Sequence, residues 1–276
     1  MKIKNLFVCL LFVLAFFVFV KAQNLKRTTT KTERADLSAG GTVTIVGAPV
    51  GAIAIEGWQQ PNVEVTAEIE VEAANEEDLT LIAKVNNFTV DEDFNHIRIL
   101  TTGTNDKQFL KRNFKKLPKR LLDLPWRIDY KIKVPNYCDL EVDAGRGNFD
   151  LRGVDGTIVI RSMQSERANL ELVGGIVQAT FGGEEVNIKL NSRSWRGGTV
   201  DIEVAKGALN VSAPPALSAD LDLKVLRAGK IENKFENLKP RDKTKFSENL
   251  MTARAGVGGA KFVLTVGDGV LRLTPQ

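Results

Sequence analysis

A single histidine, His96, and two cysteines, Cys9 and Cys138, are all that the 276 residues hold of the side chains most used for zinc and imidazole chemistry. A closed Cys/His zinc site takes four ligands, and a Ser-His-Asp triad would have to rest on His96 alone. Cys9 falls in an N-terminal leader, so Cys138 is left without a partner and no disulfide framework can form. Aromatic residues make up only 7% of the chain, and no second long apolar run follows the first twenty residues. A membrane-spanning helix needs about 20 consecutive apolar residues, so none is expected downstream. Charge of one sign is also missing. The chain has 38 bases and 34 acids, and the leader takes Lys2, Lys4 and Lys21 with it. A mature formal charge of 35 − 34 = +1 gives no electrostatic reason to expect a nucleic acid partner. No cofactor or metal site is expected from this inventory.

The N-terminus reads as an export signal. Lys2 and Lys4 supply the positive region, Leu6–Val20 is an unbroken apolar run, and Val20-Lys21-Ala22 precedes a cleavage site placed before Gln23. The run is short of a membrane span, and Cys9 sits inside it rather than at its end, which argues against a lipid-modified N-terminus. Residues 1–22 are therefore read as a signal peptide and 23–39 as an N-terminal linker. Residues 40–273 are read as one domain with a non-β insertion at 104–127. The mature protein is expected in the periplasm or at the cell surface.

The strongest pattern is alternation of apolar and polar residues in very short bursts. The apolar members include Leu140/Val142, Phe149/Leu151, Ile158/Ile160, Leu170/Leu172, Val177/Ala179/Phe181 and Val186/Ile188/Leu190. Val200/Ile202/Val204, Leu209/Val211 and Leu221/Leu223/Val225 continue the series. The same step opens the mature chain at Val43/Ile45, Ile53/Ile55 and Val63/Val65. Polar residues such as Glu141, Asp150, Glu171, Asn187, Lys189 and Asn210 fill the places between, and glycines punctuate the corners. A burst of three to five residues cannot make a stable hairpin alone, but stacking buries its apolar face in a continuous core. With a burst about every 10 residues, two bursts make a coil of roughly 20. The fold expected is all-β: a single elongated β-solenoid, with a β-sandwich as the alternative. Residues 72–83 read as a surface loop or short helix.

At Tyr130-Lys-Ile-Lys-Val-Pro135, followed by Leu140-Glu-Val, the chain resembles the bacterial putative-adhesin domain of unknown function. Gly41-Thr-Val-Thr-Ile, Gly51-Ala-Ile-Ala-Ile-Glu-Gly-Trp58 and the closing stretch from Gly258 to Leu273 are similar to that family's opening and ending. The resemblance implies a β-solenoid in an exported or surface-exposed bacterial protein. It transfers no catalytic residue, and the basic insertion departs from the family's pattern.

Candidate chemistry is sparse. Lys107 to Leu122 holds seven bases and no acid. Leu110, Phe114, Leu117, Leu121 and Leu124 fall at helical spacing, with Lys111, Arg112, Lys115, Lys116, Lys119 and Arg120 largely opposite. Such a segment either covers an exposed edge of the sheet, which is the reading preferred, or contacts an anionic surface. Asp91, Asp93 and Asn95 have the first spacings of a calcium loop, but His96 and Thr102 stand where Gly and Glu are needed, so a solvated turn is expected. Asp143, Asp150, Asp201 and Glu203 could serve a glycosidase only if the fold paired them; outward alternation accounts for them without catalysis. Trp195, in an expected exposed loop, is the candidate for ligand stacking, whereas Trp58 is expected in packing. The function expected is a non-enzymatic structural or binding module whose partner is a cell-envelope component, a glycan or another surface protein. The alternative is a carbohydrate-active enzyme on the same scaffold.

Overall fold

Each alternating burst becomes a strand with one side turned into the core, as β13 (Glu185–Leu190) shows with Val186, Ile188 and Leu190 buried and Glu185, Asn187 and Lys189 outside. The computed structural model describes residues 24–114, 117–183, 185–191, 195, 198–236, 238–241 and 246–276; the signal peptide expected at 1–22 lies outside them. Before β13 come β1 (Leu25–Asp36), β2 (Thr42–Val46), β3 (Ile53–Trp58), β4 (Asn62–Ala73), α1 (Glu76–Val85), β5 (Asn87–Asp93) and β6 (His96–Thr102). Then α2 (Lys107–Asn113) and a 3-10 turn (Lys119–Leu121) lead into β7 (Trp126–Pro135), β8 (Asp139–Ala144) and β9 (Gly147–Arg152). Next are β10 (Thr157–Ser162), β11 (Ser165–Leu172) and β12 (Ile176–Phe181). The chain ends with β14 (Val200–Ala213), β15 (Ala219–Val225), β16 (Gly229–Asn233), β17 (Lys239–Pro240), β18 (Leu250–Ala255) and β19 (Lys261–Pro275).

These strands form one connected, nearly closed sheet whose halves face each other across a shared core. In the first ladder β6, β2, β8, β10, β12, the front half of β14, the front half of β19 and β15 pair in parallel. In the second, β7, β3, β9, β11, β13, the rear half of β14, the rear half of β19 and β16 do the same. Phe149 of the second ladder meets Phe181 of the first with ring centroids 6.5 Å apart. β14 and β19 pass from one ladder to the other at bends where Gly207 and Gly269 have φ of +121° and +143°. Every apolar residue named for the alternation above is buried.

The two flanks depart from this order. β4 pairs antiparallel with both β1 and β7, β5 with β6, and β18 with both β15 and β17. One uniform stack from 40 to 273 therefore does not describe the sheet. Antiparallel returns at both ends give it a sandwich-like, nearly closed character. A second correction concerns residues 25–36, expected to be linker: they form β1, paired with β4 along all twelve residues. Its sequence, Leu-Lys-Arg-Thr-Thr-Thr-Lys-Thr-Glu-Arg-Ala-Asp, has almost no apolar alternation because only Ala35 of the strand is buried. Thr favours extended backbone, and edge strands are commonly charged.

α1 forms where a loop or short helix was expected. Asn75 caps it by accepting from the Asp78 amide at 2.9 Å, Glu76, Glu77 and Asp78 oppose the helix dipole, and Leu79, Ile82 and Val85 face the core. The basic insertion behaves differently from one amphipathic helix. α2 stops at Asn113 with none of its residues buried, and the chain restarts as the 3-10 turn, where Leu121 is fully buried. Pro118 lacks an amide hydrogen and its ring would clash with the preceding turn of a continuous helix.

Candidate functional site

The outer face of the second ladder carries two parallel rows of side chains fixed by register. One runs Lys131, Ala54, Asp150, Asn169, Asn187, Asn210, Arg272, each beside the next on the neighbouring strand. Asn169 Nδ2 donates to Asp150 Oδ1 at 2.7 Å, Asn187 Nδ2 to Asn169 Oδ1 at 3.1 Å, and Asn210 Nδ2 to Asn187 Oδ1 at 2.8 Å. The donors and acceptors are separated by 19, 18 and 23 residues in sequence. Arg272 closes the row, donating through Nη1 to Asn210 Oδ1 at 3.2 Å and through Nε to Glu232 Oε2 at 2.8 Å.

Two residues further along each strand lies the second row: Lys133, Glu56, Arg152, Glu171, Lys189, Ser212, Thr274. Its charges alternate. Arg152 lies 2.8 Å from Glu56, Lys189 lies 3.3 Å from Glu171, and Lys133 reaches back 3.0 Å to Glu64 on β4, which Arg34 also contacts. The hydrogen bonds from Lys133 and then Arg34 hold the Glu64 carboxyl below the usual carboxylate range. The bond to Glu56 raises Arg152 further above its ordinary value.

Between and over these rows the surface is hollow. A depression of about 500 Å³ lies where Ala54 leaves room between Lys131 and Asp150, with Glu56, Lys133 and Arg152 beside it. A second, of about 380 Å³, continues across Asn187, Asn210, Ser212 and Thr274. Asn169 and Glu171 belong to both, so the two make one groove across the strands. Asp150, Glu171, Asn187, Lys189 and Asn210 read from the sequence as outward residues, but not as one surface. The signal that could have joined them is the roughly 20-residue coil itself, since it sets Asp150, Asn169 and Asn187 in one line.

The residues expected to act fare variously. Trp195 is a correction: it is only 7% exposed, packed edge-on against Phe262 at 5.4 Å between ring centroids, with Nε1 donating to the Gly175 carbonyl at 2.8 Å. An indole with its one donor satisfied is stable in the core and offers no face to a ligand. Trp58 is a corner residue whose Nε1 donates to the Asn62 carbonyl. Among the basic residues, Lys111, Arg112 and Lys119 are exposed without an ion pair among the described residues, and Lys115 and Lys116 lie outside those residues. Arg120 is committed inward, with Nη2 2.7 Å from Asp78 Oδ1 on α1. That bond raises the arginine's affinity for its proton and lowers the Asp78 pKa.

The four carboxylates do not converge. Asp143, Asp201 and Glu203 lie on the first ladder and Asp150 on the second, across the core. Asp93 and Asn95 make the β5–β6 turn: Asp93 Oδ1 accepts from the Phe94 amide, Asn95 takes φ +52° and its Oδ1 accepts from the Ser38 amide. His96 opens β6 with Nε2 2.8 Å from Thr44 Oγ1.

No family model and no curated protein matches the chain. Among solved structures it is similar to a putative cell adhesion protein from Clostridium sporogenes, at 12% identity and TM-score 0.44, covering 90% of this chain and 100% of that one. It is also similar to a putative adhesin from Bacteroides fragilis, at 12% identity and TM-score 0.27, covering 89% and 97%. A putative lipid binding protein from Parabacteroides distasonis is similar at 9% identity and TM-score 0.21, covering 90% and 97%.

Proposed function

We propose that the mature chain is an exported, non-enzymatic binding protein, in the periplasm or at the cell surface, and that the groove across the second ladder is its ligand surface. The observation that carries this reading is the continuity of the groove. Two depressions share residues on one outer face where register lines up polar side chains across seven strands. Export is supported by the leader, and β1 begins at Leu25, just beyond the cleavage expected before Gln23. Among the described residues no helix is long and apolar enough to cross a membrane. Parallel offsets of 18, 19 and 23 residues support reading the central stretch, 139–213, as stacked coils of the solenoid kind, closed at each end by antiparallel strands.

A binding role is supported over glycoside cleavage by how the groove spends its charge. Cleavage needs two carboxyl groups roughly 5–9.5 Å apart, one of them held protonated. Here Glu56 and Glu171 are each tied to a base and Asp150 accepts from Asn169, so each carboxylate is already engaged by a neighbouring side chain. The test is a glycan array run beside a polysaccharide hydrolysis screen. Binding without turnover, lost when Asn169 and Glu171 are replaced by Ala, is the expected result. Turnover that disappears in Glu171→Gln would overturn the non-enzymatic reading.

A further inference from the structure

We propose that the groove takes an extended, uncharged, hydroxyl-rich polymer, a neutral glycan strand lying across the β-strands, and that its length of contact sets the affinity; the inference rests on the groove being the ligand surface. Charge is the first argument. Around the larger depression Lys131, Lys133 and Arg152 are matched by Glu56, Asp150 and Glu171. The smaller depression adds Lys189, and Arg272 ends the amide row. These are ion-paired to Glu171 and Glu232, as Lys133 is to Glu64, so among the described residues no cluster of unpaired bases is offered to an anionic polymer.

The amide row is the second argument. A carboxamide has two N–H donors and an oxygen with two lone pairs. Asn169, Asn187 and Asn210 each donate once along the row, and each oxygen accepts once, from Asn187, Asn210 and Arg272 in turn. One donor and one acceptor per residue are left over, repeated at the strand spacing of about 4.8 Å. A hydroxyl both donates and accepts, so a chain of hydroxyls answers this repeat at every step. An extended peptide answers it poorly. Peptides add to free sheet edges, and on this face the backbone groups are already paired within the ladder.

Length is the third argument. From β7 to β19 the groove crosses seven strands, a span of about 29 Å at that spacing. No aromatic side chain lines either depression among the described residues, so no single site offers the stacking that gives a sugar platform its strength. Each rung contributes little, and affinity must accumulate along the chain.

The experiment is calorimetric titration of the mature protein with β-1,4-linked glucose and N-acetylglucosamine oligomers, from disaccharide to decamer, beside oligogalacturonates as the anionic arm. Affinity for a neutral series should rise with length and level off once the oligomer spans about 29 Å. Asn187→Ala with Asn210→Ala should weaken the longest oligomer about tenfold, since two hydrogen-bonding side chains are lost. Ser212→Tyr fills the smaller depression without removing a bond of the row, and should abolish the gain from length at an unchanged melting temperature. Failure of every neutral oligomer to bind, tighter binding of the anionic series, or affinity independent of length would overturn the inference and leave the groove as a site for another ligand. Binding that none of these substitutions alters would overturn the groove itself.

Discussion

The outer face of the second ladder and the segment from Lys107 to Leu121 are both rich in charge, and they dispose of it in opposite ways. In the ladder, register sets Lys133, Glu56, Arg152, Glu171 and Lys189 side by side, so that nearly every charge finds its opposite on the next strand. In the segment, one base of the described five, Arg120, finds an acid, while Lys107, Lys111, Arg112 and Lys119 point outward without an ion pair among the described residues. A sheet pairs charges for free once its backbone is in register; a short helix and a turn have no neighbouring strand to do it. The ladder's charges are accordingly mostly paired, whereas the segment is anchored by Leu121 in the core and by Arg120 on Asp78.

The core fixes the register that pairs these charges, and the largest effect is expected there. Ile160→Asp buries an unpaired charge at a 1% exposed site and should cost more than about 4 kcal/mol in denaturant unfolding. Register also depends on corners where backbones nearly touch. Gly147 has φ +151°, and a Cβ there would sit 2.2 Å from the Gly51 carbonyl oxygen. Gly147→Val should cost about 2–4 kcal/mol and lower groove binding with it.

The segment's own anchor comes next. Leu121→Asp should destabilise by about 2–4 kcal/mol, for the reason that applies at Ile160 but at the margin of the fold. The Asp78–Arg120 pair gives a pH signature. The arginine's hydrogen bond depresses the Asp78 pKa in the folded chain. Its contribution is therefore complete above the unfolded value of about 3.9 and is lost as pH falls through the lower folded value. Asp78→Asn should flatten the acid limb of the stability profile in that window, and an unchanged limb would show that the pair is not formed in solution.

At the alkaline end burial pushes the Cys138 thiol and the Tyr130 phenol each up to about 12. The folded chain keeps protons there that the unfolded chain gives up from about pH 8.5–10 upward, so stability should fall as pH rises above that range. Cys138 should resist alkylation at pH 8 until denaturant is added. The smallest effect is expected at the unpaired bases. Lys111, Arg112 and Lys119 changed together to Gln should leave the melting temperature within about 1 °C, because exposed bases without partners contribute little to folding. The unmodified protein is expected to stay in solution beside anionic vesicles, and salt-sensitive co-sedimentation would make the segment an anion-binding surface instead of a cover.

Alternation alone determined the inward and outward sides of the strands, because a period of two leaves a short strand only one way to bury Leu, Ile and Val, and each apolar residue it singled out is in the core. The all-β class and the 20-residue recurrence came from the same source. Tertiary structure decided the rest. β1 carries one buried residue, so its sequence shows no apolar alternation to mark a strand; β4 supplies the edge on which it pairs. Trp195 looked exposed among polar neighbours, yet Phe262, 67 positions away, receives its ring. The groove required knowing that Asp150, Asn169, Asn187 and Asn210 stand on successive strands at one register. Local sequence records which side of a strand is apolar, since that is set by the strand itself. Which strand lies beside it is set by long-range pairing, and a polar row on the outer face exists only after that pairing is made.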